Sequence, residues 1–211
     1  MKAINPEVWG PSGWSLLHRL SFCFDNKDND TDSDNAEAFY NTLQYILPCP
    51  KCRRNLMEHY TKLPFPSSNK LKDLPEWLWK IHNRVTESLD REKGRERERE
   101  REKGPSFSEI KNKYSKTCHS VDTCEFKFLL AIAETHPGGL SIYSDYYKAL
   151  TVFLRIFINK SYNAKDKVKD KVIRPTGLPT SDILKSRYKF RKWVQKLTNT
   201  KEYFDKCAIV E

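Results

Sequence analysis

The sequence predicts an all-α protein: a four-helix bundle with a short fifth helix, followed by a second helical region. Apolar residues recur at spacings of three and four along most of the 211 residues, which is typical of amphipathic helices. No stretch of useful length alternates between apolar and polar residues, as a half-buried strand would. Aromatic residues make up 12% of the chain, so we expect a packed core. We assign the bundle to residues 1–117 and the second helical region, with its basic tail, to residues 118–211.

The first two predicted helices are separated by an acidic loop. Ser12 is a suitable N-cap for the first helix, which we expect to end near Ser21. Residues 25–35 are polar and acidic, and we predict a loop there. The second helix carries apolar residues at helical spacings from Ala36 onward, and Pro48 ends it.

The third and fourth predicted helices begin at recognisable capping positions. The third starts inside Cys49-Pro50-Lys51-Cys52, with Pro50 in the first turn, where its missing N–H leaves no hydrogen bond unmade. It continues to about Tyr60. Asp73 caps the fourth helix, whose apolar stripe extends to Leu89. Four helices of this kind suit a compact bundle.

A charged insertion separates the fourth helix from the fifth. Residues 91–104 read REKGREREREREKG, which has no apolar side chain to bury, so we interpret the segment as a solvated insertion. The short fifth helix is expected from Ser108 to about Lys116. In the second region we predict helices near residues 125–134, 142–158 and 181–197, with a basic linker at residues 160–179.

Composition and charge argue against several classes of protein. No run of 18 apolar residues is present, and the N-terminal residues lack the apolar segment of a secretory signal, so neither a membrane span nor secretion is expected. The net charge is +10, and residues 160–192 contain eleven basic and three acidic residues. Because no nucleic-acid-binding motif accompanies this basic tail, we favour a solubilising face and do not expect nucleic acid as a partner.

A pair of cysteines three residues apart is the most distinctive motif. Cys49 and Cys52 stand at the predicted start of the third helix, where the helix N-terminus and adjacent basic residues stabilise a thiolate and favour disulfide exchange. The pair has alternatives when taken alone. With Cys118 and Cys124 it could form a zinc site, although the spacing of the last two is unusual for zinc. A thioredoxin-type site would need a βαβ context that we do not find.

Two further motifs combine tryptophan with histidine. Residues 9–18 read WGPSGWSLLH, which places Trp14 and His18 four residues apart on one helix face. Residues 77–85 read WLWKIHNRV, in which the histidine and asparagine lie beside the apolar stripe and could point polar atoms into a cofactor pocket. Taken singly, each motif is more typical of a packed core than of a ligand site.

Along the chain, the motif of residues 9–18 comes first, the cysteine pair second and the motif of residues 77–85 third. Together and in that order, the three motifs resemble those of the Erv/ALR family of FAD-linked sulfhydryl (thiol) oxidases. The resemblance covers about residues 8–115 and includes the family's four-helix order. It is closest to the forms from large DNA viruses, whose cysteine motif tends to read L-P-C-x-x-C-R, as residues 47–53 do here. Thr86 replaces the family's usual asparagine, and Trp79 replaces a cysteine that forms an extra disulfide in many cellular members. The charged insertion interrupts the flavin-binding segment before Lys103.

The resemblance implies a flavoenzyme that forms disulfides in protein dithiols. Family members hold FAD inside the bundle, with the second cysteine of the pair against the flavin and the first facing the substrate. Cys49 would therefore exchange with an incoming dithiol, and Cys52 would pass electrons to the flavin, with O2 as the final acceptor and H2O2 as the product. The residues that would bind FAD by this resemblance are Gly10, Trp14, His18, His82, Asn83, Val85 and Lys103.

The other four cysteines lie outside the three motifs, so their roles are less closely defined. Some family members relay electrons to the core through a mobile shuttle disulfide, and Cys118, Cys124 and Cys207 are candidates for such a disulfide here. The alternative is that these three residues are unpaired thiols. Cys23 lies among apolar residues at the end of the first helix, and we expect it to be buried and inert.

Assembly and location are also implied by the resemblance. Family members commonly dimerise through their first helices, and a homodimer is expected here because these helices carry much aromatic surface, on Phe22, Phe24, Phe39 and Tyr40. The likeness to viral forms, together with the absence of a signal, predicts a location in the host cytoplasm or in virions. The alternative function is a zinc- or nucleic-acid-binding helical protein that would use Cys49, Cys52, Cys118, Cys124 and the basic tail.

Overall fold

A computed structural model describes residues 3–24, 30–66, 68–94, 104–117, 123–139, 141–161 and 178–198. All regular secondary structure in these ranges is helical, which confirms the predicted fold class. None of the helices described has the length and apolarity needed to cross a membrane. The α-helices are α1 Pro6–Ser21, α2 Asp30–Ile46, α3 Pro50–Lys62, α4 Leu74–Glu92, α5 Phe107–Tyr114, α6 Phe126–Glu134, α7 Ser144–Ser161, α8 Ser181–Leu184 and α9 Arg187–Thr198. The 3₁₀ turns Ser68–Asp73, Thr123–Glu125 and Ser141–Tyr143 precede α4, α6 and α7.

Helix α1 begins at Pro6, so the predicted N-cap at Ser12 is wrong. The Asn5 side chain accepts a hydrogen bond from the Glu7 backbone N–H, and Pro6 takes the first helical position, where no N–H is needed. Ser12 lies inside the helix and donates its hydroxyl to the Trp9 carbonyl at 2.8 Å. The tryptophan-rich motif is therefore helical throughout.

Helix α2 also begins earlier than predicted, at Asp30 rather than near Ala36. Its first turns hold acidic residues that we expected in a loop, and negative side chains are favourable at the positive end of the helix dipole. One of them, Asp32, accepts a hydrogen bond from Lys160 of α7 at 2.7 Å. This long-range contact helps to hold in a helix residues for which the local sequence predicted a loop.

Helices α3 and α4 begin where predicted. Cys49 occupies the N-cap of α3, where its sulfur accepts a hydrogen bond from the Cys52 backbone N–H at 3.1 Å, and Pro50 takes the first helical position. Asp73 precedes α4, although its side chain makes no capping hydrogen bond. The buried stripe of α4 packs against α1 and α3, as a bundle requires.

The second helical region packs directly on the bundle. Helix α7 lies along α2, where the rings of Phe39 and Phe153 stack with centroids 4.8 Å apart. Helix α6 lies against α1, and a Cβ atom on Gly13 would meet the Phe128 ring at 3.2 Å, so glycine at this position permits the close approach. Buried residues of both regions belong to one hydrophobic core. The domain boundary at residue 117 stays a prediction.

A buried ion pair also joins the two regions. The side chains of Arg19 in α1 and Glu125 before α6 are each 1% exposed, and the guanidinium donates to both carboxylate oxygens at distances from 2.8 to 3.0 Å. The same guanidinium donates to the Ser161 hydroxyl at the end of α7, at 3.1 Å. Because this pair needs a defined geometry, it fixes where the second helical region sits on α1.

This packing overturns the expectation of an exposed aromatic face on the first helices. Phe24, Phe39 and Tyr40 are 5%, 0% and 0% exposed, and Phe22 is half-buried. The expectation was wrong because it compared the aromatic area with a four-helix bundle alone, whereas α7 adds an apolar face that covers α2. These side chains therefore no longer support a dimer interface.

The last predicted helix is divided between α8, which ends at Leu184, and α9, which begins at Arg187. His136 holds the break, since its Nε2 lies 2.6 Å from the Leu184 carbonyl and its own carbonyl accepts a hydrogen bond from Arg187 at 2.7 Å. The predicted basic linker lies mostly outside the described residues, and α7 extends to Ser161 at its start.

Candidate functional site

The paired cysteines form a disulfide at the start of α3. Cys49 and Cys52 are bonded through their sulfurs, and their Cα atoms lie 5.2 Å apart. Cys49 is buried at the helix cap, and Cys52 lies one turn into the helix on the wall of a cavity. The two residues therefore have different surroundings, and Cys52 is the one that borders the cavity.

The cavity has a volume of about 630 Å³ and lies between α1, α3, α4 and α5. This volume is within the range of roughly 300–1,000 Å³ that is typical of small-molecule and cofactor sites. One stripe of α3 borders it, formed by Cys52, Asn55, Leu56, His59 and Tyr60. The facing walls are mainly apolar and aromatic, and they include Trp9, Gly10, Trp14, His18, Ile81, His82, Val85, Ile110, Lys113 and Tyr114.

Four packed rings form one wall of the cavity. The Trp14 indole and the His82 imidazole stack with centroids 3.9 Å apart and planes inclined by 12°. His18 Nε2 lies 3.0 Å from His82 Nδ1, so one ring donates a hydrogen bond to the other. The Tyr114 ring stacks with His18 at a centroid distance of 5.8 Å. Such a surface suits a planar conjugated ligand.

Both histidines of this wall are uncharged at neutral pH. Burial lowers the pKa of His18 to about 3, with smaller contributions from His82 and the nearby Lys113 ammonium. Burial also lowers the pKa of His82 to about 4. The wall therefore offers neutral rings and hydrogen-bonding nitrogens, and the positive charge at this end of the cavity comes from Lys113.

Unpartnered polar atoms in the wall indicate that a ligand completes the site. His18 Nδ1 and His59 Nδ1 are buried and have no hydrogen-bond partner, which is unfavourable unless a bound group supplies one. A Cβ atom placed on Gly10 would have no neighbour within 4 Å, so the backbone of α1 leaves open space there. The site fits a ligand that combines a planar ring system with hydrogen-bonding groups, as a flavin nucleotide does.

The structure brings most of the predicted site residues together at this cavity. Asn83, which follows His82 on α4, is half-buried but is not among the residues that border the cavity. Lys103 lies outside the described residues. The cofactor-binding roles of all these residues stay predictions. The predicted residues that border the cavity are Gly10, Trp14, His18, Cys52, His82 and Val85.

Several polar residues of the cavity wall were not predicted, and they include His59, Lys113 and Tyr114. His59 follows Cys52 by seven residues, which is two turns of helix, so counting helical periods from the cysteine pair could have found it. Lys113 and Tyr114 lie on α5, where the sequence carries a capping box but no motif that points to a ligand. The tertiary packing of α5 against α4 and α1 brings them to the site.

The other cysteines give one correction. Cys23 is 7% exposed, as expected, but it is engaged in a disulfide bond and is not an inert thiol. Burial among apolar residues did not reveal that the sulfur is bonded. Cys124 is exposed in the turn before α6, and Cys118 and Cys207 lie outside the described residues. The shuttle disulfide and its alternative, unpaired thiols, both stay predictions.

The alternative zinc site is not supported. Cys49 and Cys52 are bonded to each other, so their sulfurs are not available as thiolate ligands. Across the described ranges, no group of three or more histidine, cysteine, aspartate or glutamate side chains is arranged to hold a metal ion.

Comparisons with known proteins support the family resemblance. Residues 11–105 match the model of the Erv1 / Alr family. A protein of Acanthamoeba polyphaga mimivirus, named a probable FAD-linked sulfhydryl oxidase, is 32% identical over 84 residues, which are 39% of this chain and 59% of that protein. The mitochondrial FAD-linked sulfhydryl oxidase of Saccharomyces cerevisiae is 28% identical over 87 residues, or 41% of this chain and 46% of the relative.

A protein of Invertebrate iridescent virus 6, whose name also contains FAD-linked sulfhydryl oxidase, is 35% identical over 52 residues, which are 25% of this chain and 47% of that protein. The chain thus spans about half the length of these relatives. No solved structure matches the chain at a significant level. The family match includes the disulfide and most of the cavity wall. Residues 11–105 are therefore similar to the Erv1/Alr family.

Proposed function

We propose that this protein is an FAD-dependent sulfhydryl oxidase that forms disulfides in protein dithiols, with O2 as the final electron acceptor. The observation that carries the proposal is the position of the Cys49–Cys52 disulfide. One cysteine borders a cavity walled by stacked, uncharged rings, and the other caps the helix outside that wall. The match to the Erv1/Alr family and the names of the relatives support the same activity.

The disulfide would take electrons from a substrate in two exchange steps. A substrate thiolate attacks Sγ of Cys49, forms a mixed disulfide and releases the Cys52 thiolate. The second substrate thiolate then attacks the substrate sulfur of that mixed disulfide, so the substrate leaves oxidised and Cys49 leaves as a thiolate. The Cys52 backbone N–H, 3.1 Å from the Cys49 sulfur, and the N-terminus of α3 stabilise that thiolate.

The second half of the cycle returns the cysteines to the disulfide. Bound FAD supplies two-electron chemistry that the side chains lack: acceptance of the electron pair from the dithiol and its transfer to O2, which gives H2O2. Cys52 would be the cysteine next to the cofactor, because it is the one on the cavity wall. The Cys49–Cys52 bond forms again, and the two protons that H2O2 requires are those that the substrate thiols lost when they became thiolates.

Other cavity residues would hold the cofactor. Trp14, His18 and His82 supply stacking surface, and the open space at Gly10 allows close approach to the backbone. Lys113 supplies positive charge for the diphosphate. We retain Val85, Asn83 and Lys103 as binding residues on the family resemblance.

We also propose a place of action and an assembly. The viral relatives favour a viral protein that acts in the host cytoplasm or in virions on protein thiols. The homodimer rests on the family resemblance alone, because the aromatic side chains of α2 are buried within the chain. Light scattering tests it: a mass near 24.9 kDa that does not change with dilution would contradict the dimer.

An absorption spectrum followed by oxygen uptake tests the oxidase. The purified protein should be yellow and should consume O2 with dithiothreitol as the dithiol. Cys49→Ser and Cys52→Ser should each abolish oxygen uptake while FAD stays bound, because other side chains build most of the cavity. Glu58→Gln, on the exposed face of α3, is the matched control and should keep full activity. A colourless protein, or normal turnover in either serine variant, would contradict the proposal.

A further inference from the structure

His59 is a buried histidine on the cavity wall that has no part in the exchange chemistry described above. Its side chain lies on the same stripe of α3 as Cys52 and is 8% exposed. Seven residues separate the two, or roughly 10 Å along the helix. His59 Nδ1 is buried and has no hydrogen-bond partner. A ligand that fills the cavity is the natural source of a partner.

The contacts of Ser88 decide which ring nitrogen of His59 carries the proton. The Ser88 hydroxyl donates to the Arg84 carbonyl at 3.0 Å and lies 3.4 Å from His59 Nε2. A hydroxyl has one hydrogen, so toward His59 it can only accept. Nε2 is therefore protonated, and Nδ1 of the neutral ring is an acceptor. Burial lowers the pKa of His59, which keeps the ring neutral.

We propose that His59 Nδ1 accepts a hydrogen bond from a donor group of the bound flavin nucleotide, which makes His59 a cofactor-positioning residue. The inference rests on the proposed function, since it takes FAD as the ligand of this cavity. FAD has suitable donors in both halves: the ribityl hydroxyls and ring N–H on the flavin side, and the ribose hydroxyls and amino group on the adenosine side. Ser88 fixes the tautomer that this contact requires.

Titration of the apoprotein with FAD tests the proposal through the dissociation constant rather than through turnover. His59→Phe fills a similar volume without an acceptor, and we expect it to raise the Kd for FAD about tenfold. His59→Asn places a carbonyl oxygen near the position of Nδ1 and should restore the Kd to within about threefold of wild type. Met57→Leu, half-exposed on the outer face of α3, is the matched control and should not change it.

Titrations with FMN and ADP assign the donor. If the His59→Phe loss appears with FMN, the donor lies on the flavin half, and if it appears with ADP, the donor lies on the adenosine half. Either result supports the proposal.

Two outcomes would overturn it. In the first, wild type binds FAD but His59→Phe binds equally well. In the second, the asparagine variant is as weak as the phenylalanine variant and both apoproteins melt at lower temperature, which assigns His59 a purely structural role. If wild type itself fails to bind FAD, the proposed oxidase function fails first and this inference falls with it.

Discussion

At the scale of single residues, the site shows how surroundings give different roles to similar side chains. Cys49 and Cys52 are three residues apart, yet one caps the helix and the other borders the cavity. His82 stacks on Trp14 and shares a hydrogen bond with His18, so its ring contributes both flat surface and polarity. Because burial keeps both imidazoles neutral, the wall can pack against a conjugated ring without a desolvated charge.

Substitution of His82 separates stacking from hydrogen bonding. His82→Ala removes the ring that stacks on Trp14 and the partner of His18 Nε2, so we expect about a 10- to 100-fold loss of FAD affinity. His82→Phe keeps a flat ring and should lose less. The ratio of flavin absorbance to protein absorbance after purification measures the effect. Equal flavin content in wild type and His82→Ala would contradict a role for this wall in cofactor binding.

At the scale of secondary-structure elements, the second helical region completes the core of the bundle. Helix α7 covers the aromatic face of α2, and α6 approaches α1 closely at Gly13. The buried pair of Arg19 and Glu125 fixes this arrangement, since neither charge is stable there without the other.

A double-mutant cycle tests the ion pair. Arg19→Met leaves the Glu125 carboxylate buried without its cation and should reduce the free energy of unfolding by about 3–5 kcal/mol. Adding Glu125→Leu should recover most of that loss, because two apolar side chains can pack in the same space. Lys80→Met breaks an exposed pair with Glu76 and is the control, with an expected change below about 1 kcal/mol. Urea unfolding measures wild type, both single variants, the double variant and the control, and additive effects of Arg19→Met and Glu125→Leu would contradict the coupling.

The connection between α4 and α5 offers a second test at this scale. Trp79 Nε1 donates to the Pro105 carbonyl at 2.9 Å, and Ser106 and Glu109 form a capping box at the start of α5. These contacts anchor the chain after the charged insertion. Deletion of residues 95–102, which are all arginine or glutamate, should therefore leave the melting temperature and flavin content unchanged.

Trp79→Ala is the comparison for that deletion. It removes the anchor itself and should lower the flavin content, because Lys113 and Tyr114 on α5 would no longer be held at the cavity. Loss of flavin from the deletion variant, with full flavin in Trp79→Ala, would reverse this assignment and place the insertion in the cofactor site.

The sequence predicts the elements whose signals are local. The start of α3 follows from Cys49 and Pro50, which act within one turn. The start of α1 was misplaced because Asn5 and Ser12 are both suitable N-caps, and Asn5 is the one that caps the helix. The neighbouring Ile4 N–H donates a hydrogen bond to the Pro48 carbonyl, which is distant in sequence. Local patterns distinguish weakly between competing caps when such long-range contacts take part.

The same limit applies to the docking of the C-terminal helices and to part of the site. Arg19 and Glu125 are 106 residues apart, and neither lies in a sequence motif that predicts their pairing. Family motifs identified six of the residues that border the cavity, because those motifs follow one another in a fixed order. Lys113 and Tyr114 belong to no such motif, and only the packing of α5 in the tertiary structure shows that they border the cavity.

At the scale of the whole molecule, one core and its buried histidines determine how stability responds to pH. Burial lowers the pKa of His18 to about 3 and that of His82 to about 4, and it also lowers those of His59 and His136. Each of these rings takes up a proton more readily in the unfolded chain, where the pKa is near 6.5. Unfolding is therefore accompanied by proton uptake below that pH.

We accordingly expect the apoprotein to lose stability as the pH falls from about 6.5 toward 5, a range in which most carboxylates remain ionised. The sign follows from linkage: a lowered folded-state pKa gives stability that is present above the unfolded-state value and is lost as the pH falls below it. Each fully shifted histidine contributes up to about 1.4 kcal/mol per pH unit. Urea unfolding at pH 7, 6 and 5 measures how steeply the free energy of unfolding depends on pH. His82→Phe should make this dependence shallower, because one histidine fewer takes up a proton on unfolding. A free energy of unfolding that stays constant between pH 7 and 5 would contradict the neutral, buried state of these rings.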